Sequence, residues 1–183
     1  YGENIGTPYC PVPPLPKLRG RMRQPVVLDL WEAGAPLRQE FTTVGNWKQG
    51  GLDVDFRGET YLWSKHHEFL KFINLPTIIG QPVELAMNLA EPESIHHGPK
   101  EVVPAYGLPS GTRRELEGCG WKLIDSCGFT MSPWPYRDYI RSSRGEFTVA
   151  RDLHVRLHSG WFSERSACYL AAGRPVVNQD TGF

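Results

Sequence analysis

Several things are missing from this chain of 183 residues, and each absence removes a class of protein. No apolar run approaches the roughly 20 residues needed to span a bilayer, so no membrane span is expected. Lys plus Arg number 20 and Asp plus Glu number 20. That balance gives no global attraction to nucleic acid or to an anionic membrane. Charge blocks and low-complexity tracts are also absent, so nothing points to disorder. The four cysteines, Cys10, Cys119, Cys127 and Cys168, are widely spaced and form no C-x-x-C pair. A zinc site or a disulfide framework is therefore not expected, and the thiols read as buried or incidental in a cytoplasmic protein. The dinucleotide fingerprint G-x-G-x-x-G and the phosphate loop G-x-x-x-x-G-K-[ST] do not occur, which removes support for NAD or P-loop nucleotide binding. H-E-x-x-H is missing as well. His66-His67-Glu68 is then a poor metal motif, since adjacent histidines are expected on different helix faces. His96-His97 falls in a proline-rich loop.

What is present is an alternation of strand and helix signals. Residues 1–20, with the run PYCPVPPLPKLRG, are rich in Pro and Gly and read as an extended linker. Residues 25–31 are a short apolar run of strand type. Residues 41–44 form a first strand, broken by Gly45-Asn46-Trp47, and residues 48–60 read as a polar loop. A helix capped by Ser64 follows, with Pro76 beyond its end. Residues 83–87 are a second strand, and residues 91–110, with four prolines, a long loop. A short helix over 112–118 precedes a third strand at 121–124. A helix over 136–142 precedes a fourth strand at 146–150. The last stretch, 149–183, reads as strand, glycine-bearing loop, helix from Ser163 to Gly173, then a strand over 175–178.

Single helices between strands imply right-handed crossovers and a parallel sheet. The expected fold class is α/β, a Rossmann-like parallel sheet of order 3-2-1-4-5 flanked by helices. Ligands in such sheets bind at the carboxyl ends of the strands, where the order reverses. That reversal falls between strands 1 and 4, and brings Gly45-Asn46-Trp47 next to the loop 151–163.

His158-Ser159-Gly160-Trp161-Phe162-Ser163 places hydroxyls, a flexible glycine and an imidazole in front of a helix. Ser159, Ser163 and the Gly160 amide can donate to phosphate oxygens, and Arg151, Arg156 and Arg165 can add charge. The same residues also describe a helix cap with surface arginines. Asp180-Thr181-Gly182, after the fifth strand, lies at the same edge; it either hydrogen-bonds a sugar or forms a turn. Trp161 flanks the glycine loop and could stack on a base or sugar, while Trp47, Trp63, Trp121 and Trp134 read as core or interface residues.

The segment from His158 to Ser163, followed by Ala-Ala-Gly173-Arg-Pro175-Val-Val, resembles the HCGWNS…GVPMV signature of nucleotide-sugar glycosyltransferases with the GT-B fold. Gly45-Asn46 resembles the Gly-Ser loop that faces the donor diphosphate there. Arg165 resembles the arginine of the R-x-F-E…A-C-G stretch of bacterial relatives, and the run GEFTVARD…SGWFSERSACYLAAGRPVVNQDTGF looks like a bacterial glycosyltransferase-like family. The resemblance covers roughly residues 41–183 and is most specific in the last 40. It departs at Cys168, where those enzymes commonly carry a donor-binding Glu. It also departs in the His158-to-Gly173 spacing, two residues longer than in the plant-type signature.

The resemblance implies one half of a GT-B fold. Residues 1–38 would be a linker or remnant of a preceding domain. Residues 39–183 would be a nucleotide-sugar-binding domain truncated at its C-terminal end. It implies a donor site from Gly45, Asn46, Arg151, His158, Ser159, Gly160, Ser163, Arg165, Asp180, Thr181 and Gly182. The partner would be a nucleotide-diphosphate sugar, bound without metal or cofactor. The catalytic base would sit in a separate N-terminal acceptor domain, so this chain would bind a donor without transferring sugar alone. Two alternatives stand beside it: a non-catalytic nucleotide-sugar-binding or protein-interaction module, and a nucleotide-sugar epimerase of the non-hydrolysing kind.

Overall fold

The computed structural model describes residues 8, 11, 26–90, 94–96, 102–104 and 107–183. The expected linker over 1–20, Cys10 and His97 lie wholly or almost wholly outside them.

The chain forms a five-stranded sheet with helices on both faces, and every ladder in it is parallel. Nine strands occur among the described residues. β1 (Phe41–Val44), β4 (Val83–Met87), β7 (Lys122–Asp125), β8 (Gly145–Thr148) and β9 (Val176–Asn178) build the sheet in the order β7-β4-β1-β8-β9. Numbered over the whole chain, that order differs from the expected 3-2-1-4-5. Two antiparallel hairpins outside the sheet, β2 (Val54–Phe56) with β3 (Glu59–Tyr61) and β5 (Ser94–His96) with β6 (Val102–Pro104), shift the count. Counted within the sheet alone, its strands run third, second, first, fourth, fifth.

The two faces follow from period-two alternation. Val83, Leu85 and Met87 of β4 enter one cluster with Trp47, Phe69, Leu116 and Trp121. This face is covered by α2 (His66–Leu70), α3 (Leu75–Ile79) and α4 (Ser110–Gly118). Ala86 and Val44 enter the other cluster with Tyr139, Ile140, Tyr169 and Ala172. That face lies under α6 (Pro133–Ser142) and α8 (Glu164–Ala171), with Trp31 of α1 (Leu28–Trp31) and Phe129 of α5 (Cys127–Thr130) at its margin. Between β8 and β9 the chain also forms a short helix, α7 (Asp152–Arg156).

A polar belt crosses the second face. Glu84, Thr42 and Glu146 are neighbours across β4, β1 and β8 and are almost fully buried. Helix, loop and strand residues pair with them, although Glu146 Oε2 is buried with no hydrogen-bond partner among the described residues. Arg38, Lys122 and the Tyr139 hydroxyl meet Glu84 at 2.6, 3.0 and 2.7 Å. The Thr42 hydroxyl lies 2.8 Å from that of Ser143 and 2.6 Å from that of Tyr169. Arg165 meets Glu146. Buried charge persists only with such partners.

Four local expectations are corrected. Residues 28–31 form a helical turn, closed by Glu32 N–H to the Leu28 carbonyl at 3.0 Å; the run finds no sheet edge, and Trp31 packs on a helix face instead. The loop over 48–60 contains the β2–β3 hairpin, whose two turn residues, Arg57 and Gly58, both have positive φ (53° and 81°), as a type I′ turn requires. The helix begun near Ser64 is two short helices, and Pro76 sits in the first turn of α3, where its missing N–H costs nothing. The loop over 151–163 is interrupted by α7. Among the described residues no helix is long and apolar enough to cross a membrane.

Candidate anion site at the carboxyl edge of the sheet

β1 ends at Val44, β8 at Thr148 and β9 at Asn178, so the segments after these three strands meet at one edge. Three cations converge there, and each is brought by a different element. Lys65 stands at the N-cap of α2, Arg151 at the N-cap of α7, and Arg165 in the first turn of α8.

Arg165 is turned onto the sheet. Its Nε donates to Glu146, its Nη1 to the Val44 carbonyl at 2.7 Å and its Nη2 to the Thr148 hydroxyl at 2.6 Å. Three of the five donors of a guanidinium are used, which leaves one on each Nη. Lys65 and Arg151 have rings rather than carboxylates as partners among the described residues. Lys65 Nζ lies 4.8 Å from the Trp161 ring centre, and the Arg151 guanidinium 3.9 Å from that of Trp63. Arg151 Nε is buried with no hydrogen-bond partner. Burial, reinforced by the charges of Arg165 and Arg151 and opposed by Glu146, pulls the Lys65 ammonium down to about 7. A cluster of this kind is electropositive and partly buried, so an anion placed in it gains more than at an exposed lysine.

An imidazole supports the cluster. His154 of α7 stacks on Trp161 with ring centres 5.1 Å apart and planes 10° apart, and its Nδ1 lies 2.7 Å from the Ser159 hydroxyl. Burial, with Arg151 and Lys65 nearby, lowers it to about 4, so it is neutral at pH 7. Trp161 is thereby engaged by His154 and Lys65.

The residues singled out in the sequence come to this edge with differing consequences. Gly45 extends the ladder by donating its N–H to the Ala86 carbonyl at 3.0 Å, so that amide is not offered to a ligand. Asn46 is exposed, and its carbonyl accepts from the Gln49 side chain. His158 is exposed, in a left-handed conformation with φ 46°. Ser159 is buried against His154. The Gly160 N–H donates to the Thr181 carbonyl at 2.7 Å, and the Thr181 hydroxyl donates back to the Trp161 carbonyl at 2.7 Å. Gly160 and Thr181 therefore tie two loops together. Ser163 is the N-cap of α8 in backbone geometry, but its hydroxyl makes no cap bond. Asp180 accepts from the Gly182 N–H at 2.7 Å, which is the turn reading of Asp180-Thr181-Gly182.

Cys168, where the resemblance placed a Glu, is half-buried against the second core cluster, and burial pushes its thiol up to about 11. The His66 and His67 rings lie 3.8 Å apart, not on separate faces as expected. Among the described residues no group of three His, Cys, Asp or Glu side chains could hold a metal ion.

Sequence reading missed Lys65, Trp63, His154 and Glu146. Only Lys65 carried a local signal, since it follows Ser64, the expected cap, although the N-cap is Lys65 itself and the Ser64 hydroxyl accepts the Gln49 N–H instead. A groove of about 490 Å³, lined by Gly34, Leu37, Arg141 and Arg174, lies at the opposite, amino-terminal edge of the sheet. We assign the candidate site to the cationic cluster, because Arg174 is consumed by the carbonyls of Arg141 and Gly34. Comparisons with protein-family models, with curated proteins and with solved structures gave no match to this chain.

Proposed function

We propose that the chain is the donor-binding portion of a glycosyltransferase of the GT-B type, and that the carboxyl edge holds the diphosphate of a nucleotide-sugar. The observation that carries this reading is the convergence of Lys65, Arg151 and Arg165 between the ends of β1 and β8. Lys65 and Arg151 lack carboxylate partners there among the described residues. This is the place where strand order reverses in an open parallel sheet, and such crevices receive ligands. Transfer from a nucleotide-sugar builds negative charge on the departing diphosphate. Cations fixed in place before the reaction stabilise that charge without reorganising. The catalytic base is expected from a separate acceptor domain.

Isothermal titration of the chain with UDP-, GDP-, ADP- and dTDP-sugars tests the reading. A donor present at 100 times its Kd should add about 2.7 kcal/mol of stability. Silence across the panel, in heat and in melting temperature, would sink it. One observation favours a second reading, a module that binds the nucleotide-sugar without catalysis: the apolar-packed Cys168 cannot act as a carboxylate toward donor or sugar. Donor binding with no release of nucleotide diphosphate, even with the rest of the enzyme supplied, would select that module.

A further inference from the structure

Gln179 follows β9 and was not among the residues expected to matter, yet its amide joins the segments that carry two of the three cations. Its Oε1 accepts from the Ala150 N–H at 2.9 Å, and Ala150 immediately precedes Arg151. Its Nε2 donates to Glu68 Oε2 at 2.7 Å. Glu68 is 1% exposed and lies one helical turn beyond Lys65, with its other oxygen held by Lys71. A second brace runs parallel to this one: Asp152 accepts from the Leu62 N–H at 2.9 Å and from Arg156 at 3.2 Å. The chemistry at position 179 is demanding. The backbone N–H can only donate and the Glu68 carboxyl group, paired with Lys71, accepts, so the bridging group must accept at one end and donate at the other. A primary amide on a two-carbon stem does both; an ionised carboxylate cannot.

We propose that Gln179 is a positioning residue that sets the separation of Lys65 and Arg151, and with it the geometry in which the carboxyl edge receives an anion. The inference rests on the anion-site reading above. Gln179 bonds to neither cation and acts through Ala150 and Glu68.

Two readouts on the full chain test it: titration with inorganic pyrophosphate, and NMR titration of the Lys65 side chain, which needs no ligand. Gln179→Glu sets two carboxylates against each other. It should weaken pyrophosphate by about tenfold, the scale of a lost charge-assisted hydrogen bond, and move the Lys65 titration upward as the cation is freed into water. In the double variant Gln179→Glu, Glu68→Gln the amide and carboxylate trade places. The amide now on α2 then donates to the carboxylate now following β9, and both readouts should return toward the parent. A folded Gln179→Glu with an unchanged Lys65 titration, or a double variant no better than the single, overturns the proposal. If the parent chain binds neither pyrophosphate nor any nucleotide-sugar while Lys65 still responds as described, the anion-site reading fails and the positioning role of Gln179 stands.

Discussion

Arg165 of α8 donates its Nε to Glu146 of β8, a carboxylate with no solvent exposure in the middle of a parallel sheet. The pair connects the helix that follows the glycine loop to the strand that precedes it. It also aligns Arg165 across the Val44 carbonyl and the Thr148 hydroxyl.

Removing Glu146 leaves Arg165 without its counter-charge in a largely dry setting. Glu146→Ala should therefore cost about 3–5 kcal/mol, the range for breaking a buried pair from one side. Glu146→Gln keeps an acceptor for Nε and should cost less. Urea unfolding of the two variants checks the order. Equal stability in all three proteins would mean that the pair contributes nothing to the fold.

Lys65 makes two opposite predictions about pH. Its folded value, about 7, lies below the ordinary 10.5. The unfolded chain therefore binds more protons between those values, and this group's contribution to stability rises with pH across that window. An anion needs the charged ammonium, so affinity for pyrophosphate or a nucleotide-sugar should instead fall as pH rises through about 7. Lys65→Met should remove most of that fall in affinity measured from pH 6 to 9. A pH dependence that survives the substitution would assign it elsewhere.

His66 and His154 are both drawn down to about 4 from an ordinary 6.5, chiefly by burial. Both stay neutral in the folded protein while the unfolded chain takes up protons. Stability should consequently fall as pH drops from about 6.5 toward 4. Denaturant midpoints at pH 7.5, 6 and 5 should show that decline, and the double variant His66→Gln, His154→Gln should show a shallower one.

Gly145 opens β8 opposite Phe41. A Cβ there would lie 2.6 Å from the Phe41 ring and 2.7 Å from the Pro175 carbonyl, which also accepts the Glu146 N–H. The ring can shift but the carbonyl is held in the β8–β9 ladder. Gly145→Ala should cost about 1–3 kcal/mol, as overpacking does, and should loosen β9 first, as read by amide exchange at Val177.

Much of the architecture was legible in the chain. Runs such as Val83-Glu84-Leu85-Ala86-Met87 and Glu146-Phe147-Thr148 carry strand signals, and the Gly173 stop bounds a helix through its φ preference alone, whereas the helix expected over 136–142 begins three residues earlier, at Pro133. Position 173 is left-handed at φ 69°, as a helix terminus with glycine there requires. Short elements were less legible. The α1 turn and the β2–β3 hairpin depend on whether a sheet edge is open and on a turn with Arg rather than Asn in its first place. Neither is decided by neighbours in the chain.

The candidate site divides along the same line. The sequence by itself determined that a glycine loop, a helix start and arginines would follow the fourth strand, because strand periodicity, capping residues and turn residues are local. Only the tertiary structure decided which groups face the edge. It set Lys65 among Arg151, Arg165 and Trp161, although Lys65 stands 86 positions before Arg151. It turned the Gly45 and Gly160 amides onto carbonyls, and it made Glu146 and Gln179 the residues that hold the cations' supports. Charge proximity, burial and hydrogen-bond closure depend on distances through space, and the parallel crossovers set those distances by bringing together strand ends that lie far apart along the chain.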